Sequence, residues 1–244
     1  IGERLVEKNA DAYEPALAGS YNNAGNFYKD QGQSKKAEKY YLAAIEIGER
    51  LVEKNADAYE PALAMSYNNA GNFYDDQNQP EKAEKHLLDA IEIYERLAKK
   101  NADAYEPDLA MSYNNAGIFY AVHGQSQKAE KIFLDAIEIY ERLVEKNTDA
   151  YEPYLATSYN NAGVFYDDQN QPDKAEKYYL AAIEIRERLV KKNAAAYEPD
   201  LATLYYNYYL LKKDKTYLDK AYEIAKRRQD DPRCKIIVEF VESM

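Results

Sequence analysis

The sequence predicts an all-α protein, an α-solenoid of stacked antiparallel helix hairpins. Three observations predict it. First, Ile-x-Glu-Arg-Leu stands at Ile1, Ile47, Ile93, Ile139 and Ile185, a period of 46 residues that never slips. Second, the unit 13–58 and the unit 59–104 share 35 residues without a gap. A repeat of this length is one supersecondary module that buries its apolar face against its neighbours, so the chain grows by stacking rather than around one central core. Third, apolar residues inside each unit recur at spacings of three and four, the mark of one buried stripe on a helix.

The elements follow in order. Residues 1–12 read as the end of a second helix whose preceding hairpin is missing, and the sequence opens mid-pattern, as part of something longer. Four full units follow at 13–58, 59–104, 105–150 and 151–196. In each, a Glu-Pro pair (Glu14-Pro15, Glu60-Pro61, Glu106-Pro107, Glu152-Pro153, with Glu198-Pro199 in the next segment) marks a helix start, because a first-turn N–H has no intrahelical acceptor. That helix carries Leu17, Tyr21, Ala24, Gly25 and Tyr28 on one face and stops near Gln31-Gly32. A second helix opens at Ser34, Pro80, Ser126 or Pro172 and buries Ala37, Tyr41, Ala44, Ile45 and Leu51. It ends near Asn55 and, at about 20 residues, is expected to be the longer of the two. Gly25, Gly71, Gly117 and Gly163 each cost about 1 kcal/mol of helix propensity, so they predict close approach of the paired helix. Segment 197–229 reads as a degenerate hairpin, with Tyr205-Tyr206-Asn207-Tyr208-Tyr209 in place of the small residues. Segment 230–244 starts at Asp231-Pro232 and reads as a terminal capping helix.

Composition narrows the function. Lys and Arg number 32 against 43 Asp and Glu, a net charge of −11, the wrong sign for a phosphate backbone, so no nucleic-acid partner is expected. Apolar runs are too short to cross a bilayer, and no membrane partner is expected. The single cysteine, Cys234, permits no internal disulfide and fits a reducing compartment, so the expected location is cytoplasmic. Catalysis, cofactor and metal find no support. His86 and His123 are not repeated between units and have no ligand or nucleophile at helical spacing, and nine glycines form no phosphate loop. Cys234 beside Lys235 reads as a packed or surface thiol.

Tyr21, Ala24, Gly25, Tyr28, Ala37, Tyr41 and Ala44, with the turn glycine Gly32, resemble the small-and-large signature of the tetratricopeptide repeat. The likeness covers residues 13 to 229. The units are longer than that family's standard and resemble the kinesin light chain type. The resemblance implies a right-handed superhelix, its pitch left open by the longer unit, and a protein-interaction module whose first helices line a concave groove.

The candidate site is built on asparagine. Asn22-Asn23, Asn68-Asn69, Asn114-Asn115 and Asn160-Asn161 recur in the first helices, joined by Asn26 and Asn72 one turn later. These amides read as a face away from the Tyr21, Ala24 and Tyr28 stripe. Stacking would align them into a ladder of donors and acceptors able to bond an extended peptide backbone. The alternative is that they bond across neighbouring hairpins or face water. The resemblance favours the peptide site, since in the kinesin light chain type an asparagine ladder here holds cargo. Asp30, Asp75, Asp76, Asp167 and Asp168 form an expected acidic rim, interrupted by Ala121-Val122, which favours a neutral or basic partner segment. Tyr94, Tyr140, Tyr154 and Tyr206 are the tyrosines expected as contacts. Rival readings are a self-associating structural solenoid and a regulatory sensor domain of a larger signalling protein.

Overall fold

The computed structural model describes residues 10–244, so most of the truncated helix expected at 1–12 lies outside the described residues. Eleven α-helices and no strand occur among the described residues. They are α1 (Ala10–Asp30), α2 (Ser34–Lys54), α3 (Ala56–Asp76), α4 (Pro80–Lys100), α5 (Ala102–Val122), α6 (Ser126–Lys146), α7 (Thr148–Asp168), α8 (Pro172–Lys192), α9 (Ala194–Lys212), α10 (Lys215–Arg227) and α11 (Pro232–Glu242). Each packs on its chain neighbour within two compact units, one ending at Gln125 and one running from Ser126 to Met244. In the first unit α1, α3 and α5 also touch in sequence, forming one wall, with α2 and α4 behind it.

Two expectations need correction. The first helices begin five residues before their prolines, so Pro15, Pro61, Pro107, Pro153 and Pro199 lie inside helices. The starts are set instead by Asn55, Asn101, Asn147 and Asn193, which have non-helical backbone and whose side-chain oxygens accept from the N–H three residues on, at 3.2 Å. At the sixth helical position, Pro61 removes only the bond to the Asp57 carbonyl, which lies in an exposed turn. The helices of a hairpin are also equal in length, 21 residues each through α8, so the expected asymmetry is absent.

The turns and close contacts follow the sequence. Gly32, Asn78, Gly124 and Asn170 adopt positive φ of 54–70°, the left-handed region that glycine and asparagine tolerate. The next N–H then bonds back across the turn, as Gln33 does to the Tyr28 carbonyl at 2.8 Å. The mid-helix glycines pack where expected: a Cβ on Gly25 or Gly163 would lie 2.6–2.7 Å from the ring of Tyr41 or Tyr179, and one on Gly71 2.7 Å from Leu87.

Candidate binding surface

Pairs repeated from hairpin to hairpin tie each second helix to the next first helix. Tyr67 donates to Glu49 at 2.7 Å and Tyr74 to Glu38 at 3.0 Å in the first unit, while Tyr159 and Tyr166 repeat this with Glu141 and Glu130 in the second. Burial, then the carboxylate partner, pushes these phenols above their ordinary range. The glutamate before the proline, buried at Glu14, Glu60, Glu152 and Glu198 and half-buried at Glu106, locks the hairpin from the other side: Glu14 accepts from Arg50 at 2.9 Å and Glu152 from Arg188 at 2.7 Å. The bond from Arg50 holds the Glu14 carboxyl below the usual carboxylate range, against the effect of burial.

With that framework fixed, one face of each first helix stays open. On α3 it runs through Ala62, Met65, Asn69, Asn72 and Asp76; on α5 through Asp108, Met111, Asn115, Ile118 and Val122. Met65, Met111, Ile118 and Val122 are 45, 41, 43 and 72% exposed. In the second unit α7 presents Tyr154, Thr157, Asn161, Val164 and Asp168.

The asparagine pairs divide between two environments. Asn22 and Asn68 are buried, and their amide nitrogens donate to Ser66 at 2.7 Å and Ser112 at 2.6 Å on the next first helix. Asn114 is buried as well. Asn160 is half-buried and its oxygen accepts from Asn207 at 3.2 Å. Asn22, Asn68 and Asn160 are therefore cross-hairpin ties. Asn23 is exposed and Asn69, Asn115 and Asn161 are half-buried on the open face. Asn26 and Asn72 share that face, Asn26 accepting from the Tyr41 hydroxyl at 2.6 Å. The expectation of one face for both asparagines of a pair is thus corrected, because neighbouring helical residues lie about 100° apart.

The acidic rim is partly neutralised. Asp76 pairs with Lys29 at 2.7 Å and Asp75 meets His123 Nε2 at 2.8 Å. Asp30 and Asp168 are exposed, and Asp167 is half-buried, its carboxyl pushed up by burial and then by Asp168. Of the tyrosines expected as contacts, Tyr94 and Tyr140 are buried instead, at 3 and 2% exposure. Tyr154 is 52% exposed, and Tyr206 packs edge-on against Phe240 of α11 at 5.2 Å.

His86 is buried, its ring stacked on Tyr67 and Tyr74 at 5.6 and 5.5 Å. Burial lowers its pKa. Cys234 is fully buried and its thiol is pushed up by that burial, the opposite of activation. Among the described residues no cluster of three or more His, Cys, Asp or Glu could hold a metal, and no helix is long and apolar enough to cross a membrane.

Sequence reasoning missed Ser66 and Ser112 as partners of the buried amides. The signal was there: serine at this position has no solvent-facing reason to recur, and it sits two residues before each asparagine pair.

Helix hairpins repeating at 46 residues, with a buried small-residue seam and an open face on every first helix, define a helical-repeat solenoid. The tetratricopeptide repeat model matches residues 16–96 and 108–188. The chain belongs to that family. Among solved structures it is similar to BtubC (BKLC) from P. vanneervenii, 22% identical with a TM-score of 0.71, covering 100% of this chain and 87% of that one. It is also similar to the kinesin-light-chain-like protein of nearly identical TPR-like repeats from Podosopora anserina, 17% identical with a TM-score of 0.64, covering 89% and 98%. A third is aspartyl phosphate phosphatase F from Bacillus subtilis, 19% identical with a TM-score of 0.72, covering 98% of this chain and 58% of that chain. No match to a curated protein sequence was found.

Proposed function

We propose that the chain is a protein-interaction scaffold that holds an extended segment of a partner along the open faces of its first helices. The observation that carries this reading is the contrast between framework and face. Nearly every buried position repeats, yet the open face keeps one polar rung, Asn23, Asn69 and Asn115, while its neighbours change from Gly19 to Met65 and from Asn72 to Ile118. A primary amide can donate to one backbone group and accept from another, so a row of them reads chain direction and spacing without reading sequence. The variable neighbours would add side-chain selectivity, the methionines as adaptable apolar contacts. Net charge −11 supports a neutral or basic segment. The site belongs to a binding surface, and no step of catalysis is assigned to it.

A peptide selected from a display library on the full chain tests this. In ¹⁵N spectra, titrating it is expected to move the side-chain amide signals of Asn69 and Asn115 and leave those of Asn22 and Asn68 in place. Movement confined to other surfaces would overturn the reading.

A further inference from the structure

One buried second-helix position holds three different residues in the four units, Gly48, Tyr94 and Tyr140, and Arg186. In α4 the Tyr94 side chain passes between α3 and α5, 3% exposed, and its hydroxyl donates to the Pro61 carbonyl at 3.1 Å. In the second unit Arg186 of α8, 5% exposed, does the same from inside, donating to the Pro153 carbonyl at 3.0 Å and Thr157 Oγ1 at 2.8 Å, with Asp200 as counterion at 3.1 Å. Gly48 sends no side chain into the matching place between α1 and α3. A cavity of about 70 Å³ lies there, floored by Ala18, Gly48 and Leu51. Ala18 and Leu51 are buried, whereas Ala62 and the 45%-exposed Met65 stand on the open face, so the mouth gives onto the wall one turn before the Asn23 and Asn69 rung.

The lining selects a ligand class. Ser66 Oγ accepts from Asn22 and donates to the Ala62 carbonyl, so its hydrogen is committed. Beside the Tyr59 hydroxyl, the walls offer one acceptor with an internal precedent, the carbonyl of Pro15, the register equivalent of the one Tyr94 bonds. A carboxylate would find no cation in the lining to offset its charge. A guanidinium would lack its counterion, because Ala62 stands where Asp200 stands beside Arg186, and an unpaired buried charge is strongly disfavoured. A phenol meets both conditions, with an apolar body and one donor at its tip.

We propose that the Gly48 cavity is a pocket for a tyrosine side chain of the bound segment, entering from the open face with its hydroxyl turned to the Pro15 carbonyl. The proposal rests on the reading of the wall as a segment-binding surface, and the position that Tyr94 fills in the next hairpin is its internal template.

The chain has three methionines, Met65, Met111 and Met244, so ε-methyl-labelled full-length protein gives one reporter at the pocket, one at the filled equivalent and one remote. Titration with p-cresol is expected to shift Met65 saturably and leave Met111 and Met244 in place. Toluene should bind about fivefold more weakly, the loss of one net hydrogen bond, and methylguanidinium should not bind. Gly48→Tyr installs the residue of the next hairpin; its Cβ is tight only against the movable Leu63 Cδ1 at 3.0 Å, with Leu63 Cβ and Cα at ordinary contact of 3.5 and 3.6 Å, and it should abolish the Met65 response. Tyr94→Gly should make Met111 respond as Met65 does. A Met65 response that survives Gly48→Tyr, parallel shifts of Met65 and Met111 in the unsubstituted protein, or toluene binding as well as p-cresol would overturn the proposal. These readouts use no peptide and no asparagine substitution, so the pocket and the wall can fail separately.

Discussion

At the scale of single residues, adjacent asparagines separate into a structural and an exposed role, and the two should respond in opposite directions to the same substitution. Asn68→Ala removes the bond to Ser112 and opens a small gap, a cost of about 1–2 kcal/mol that exceeds the gain of roughly 0.5 kcal/mol in helix propensity. Asn69→Ala breaks no side-chain hydrogen bond among the described residues and keeps only the propensity gain, so it should be neutral or stabilising by a few tenths of a kcal/mol. Urea midpoints of the two variants check this. His86 supplies a pH prediction. Its native pKa lies below its ordinary 6.5, so the unfolded chain takes up the proton first and binds more protons on the acid side. Stability present above about pH 6.5 is therefore lost as pH falls from there through the native value. His86→Tyr, the residue that Tyr40 and Tyr178 place in equivalent stacks at 5.4 and 5.5 Å, should remove the part of the decline between about pH 7 and 5, before the carboxylates titrate. An unchanged slope would contradict it. The tyrosine stripe alone does not separate the asparagines of a pair, because the partner that buries the first of them is a serine 44 residues away, as in Asn22–Ser66.

Among the helices, the mid-helix glycines show packing overriding propensity. Gly71→Ala would place a Cβ 2.7 Å from Leu87 Cγ and 3.2 Å from its backbone nitrogen, an overpacking cost of about 1–3 kcal/mol that outweighs roughly 1 kcal/mol of propensity. Gly19→Ala meets nothing within 4 Å and should gain about that 1 kcal/mol. Thermal melts of the pair should therefore move in opposite directions. Hairpins, turns and glycine contacts were all legible in the sequence, since each depends on spacing or on one residue's conformational range. Helix starts were not: proline signals a start only statistically, whereas Asn55 and its equivalents define one through the bond to the N–H of Ala58 and its counterparts. Tyr94 and Tyr140 are buried rather than in contact with a partner because variation at this position marks which side chain fills one internal place.

For the molecule as a whole, the period was the strongest signal, because a module that cannot bury its own face must stack. Repetition also isolates what is not framework: an open face on successive first helices and one position that is filled in some hairpins and not in another. Which face meets the partner is what the periodicity alone left open, for the second helices carry an exposed row of their own, Leu42 and Leu88 at 44% each. The decisive measurement is a calorimetric titration of a display-selected peptide against three full-length proteins: the unsubstituted chain, Asn69→Ala/Asn115→Ala and Leu42→Glu/Leu88→Glu. Loss of two amide rungs should weaken binding on the order of tenfold or more, at about 1 kcal/mol per bond, while the leucine pair should change it less than about twofold. The opposite order, with affinity kept by the asparagine variant and lost by the leucine variant, would contradict the account.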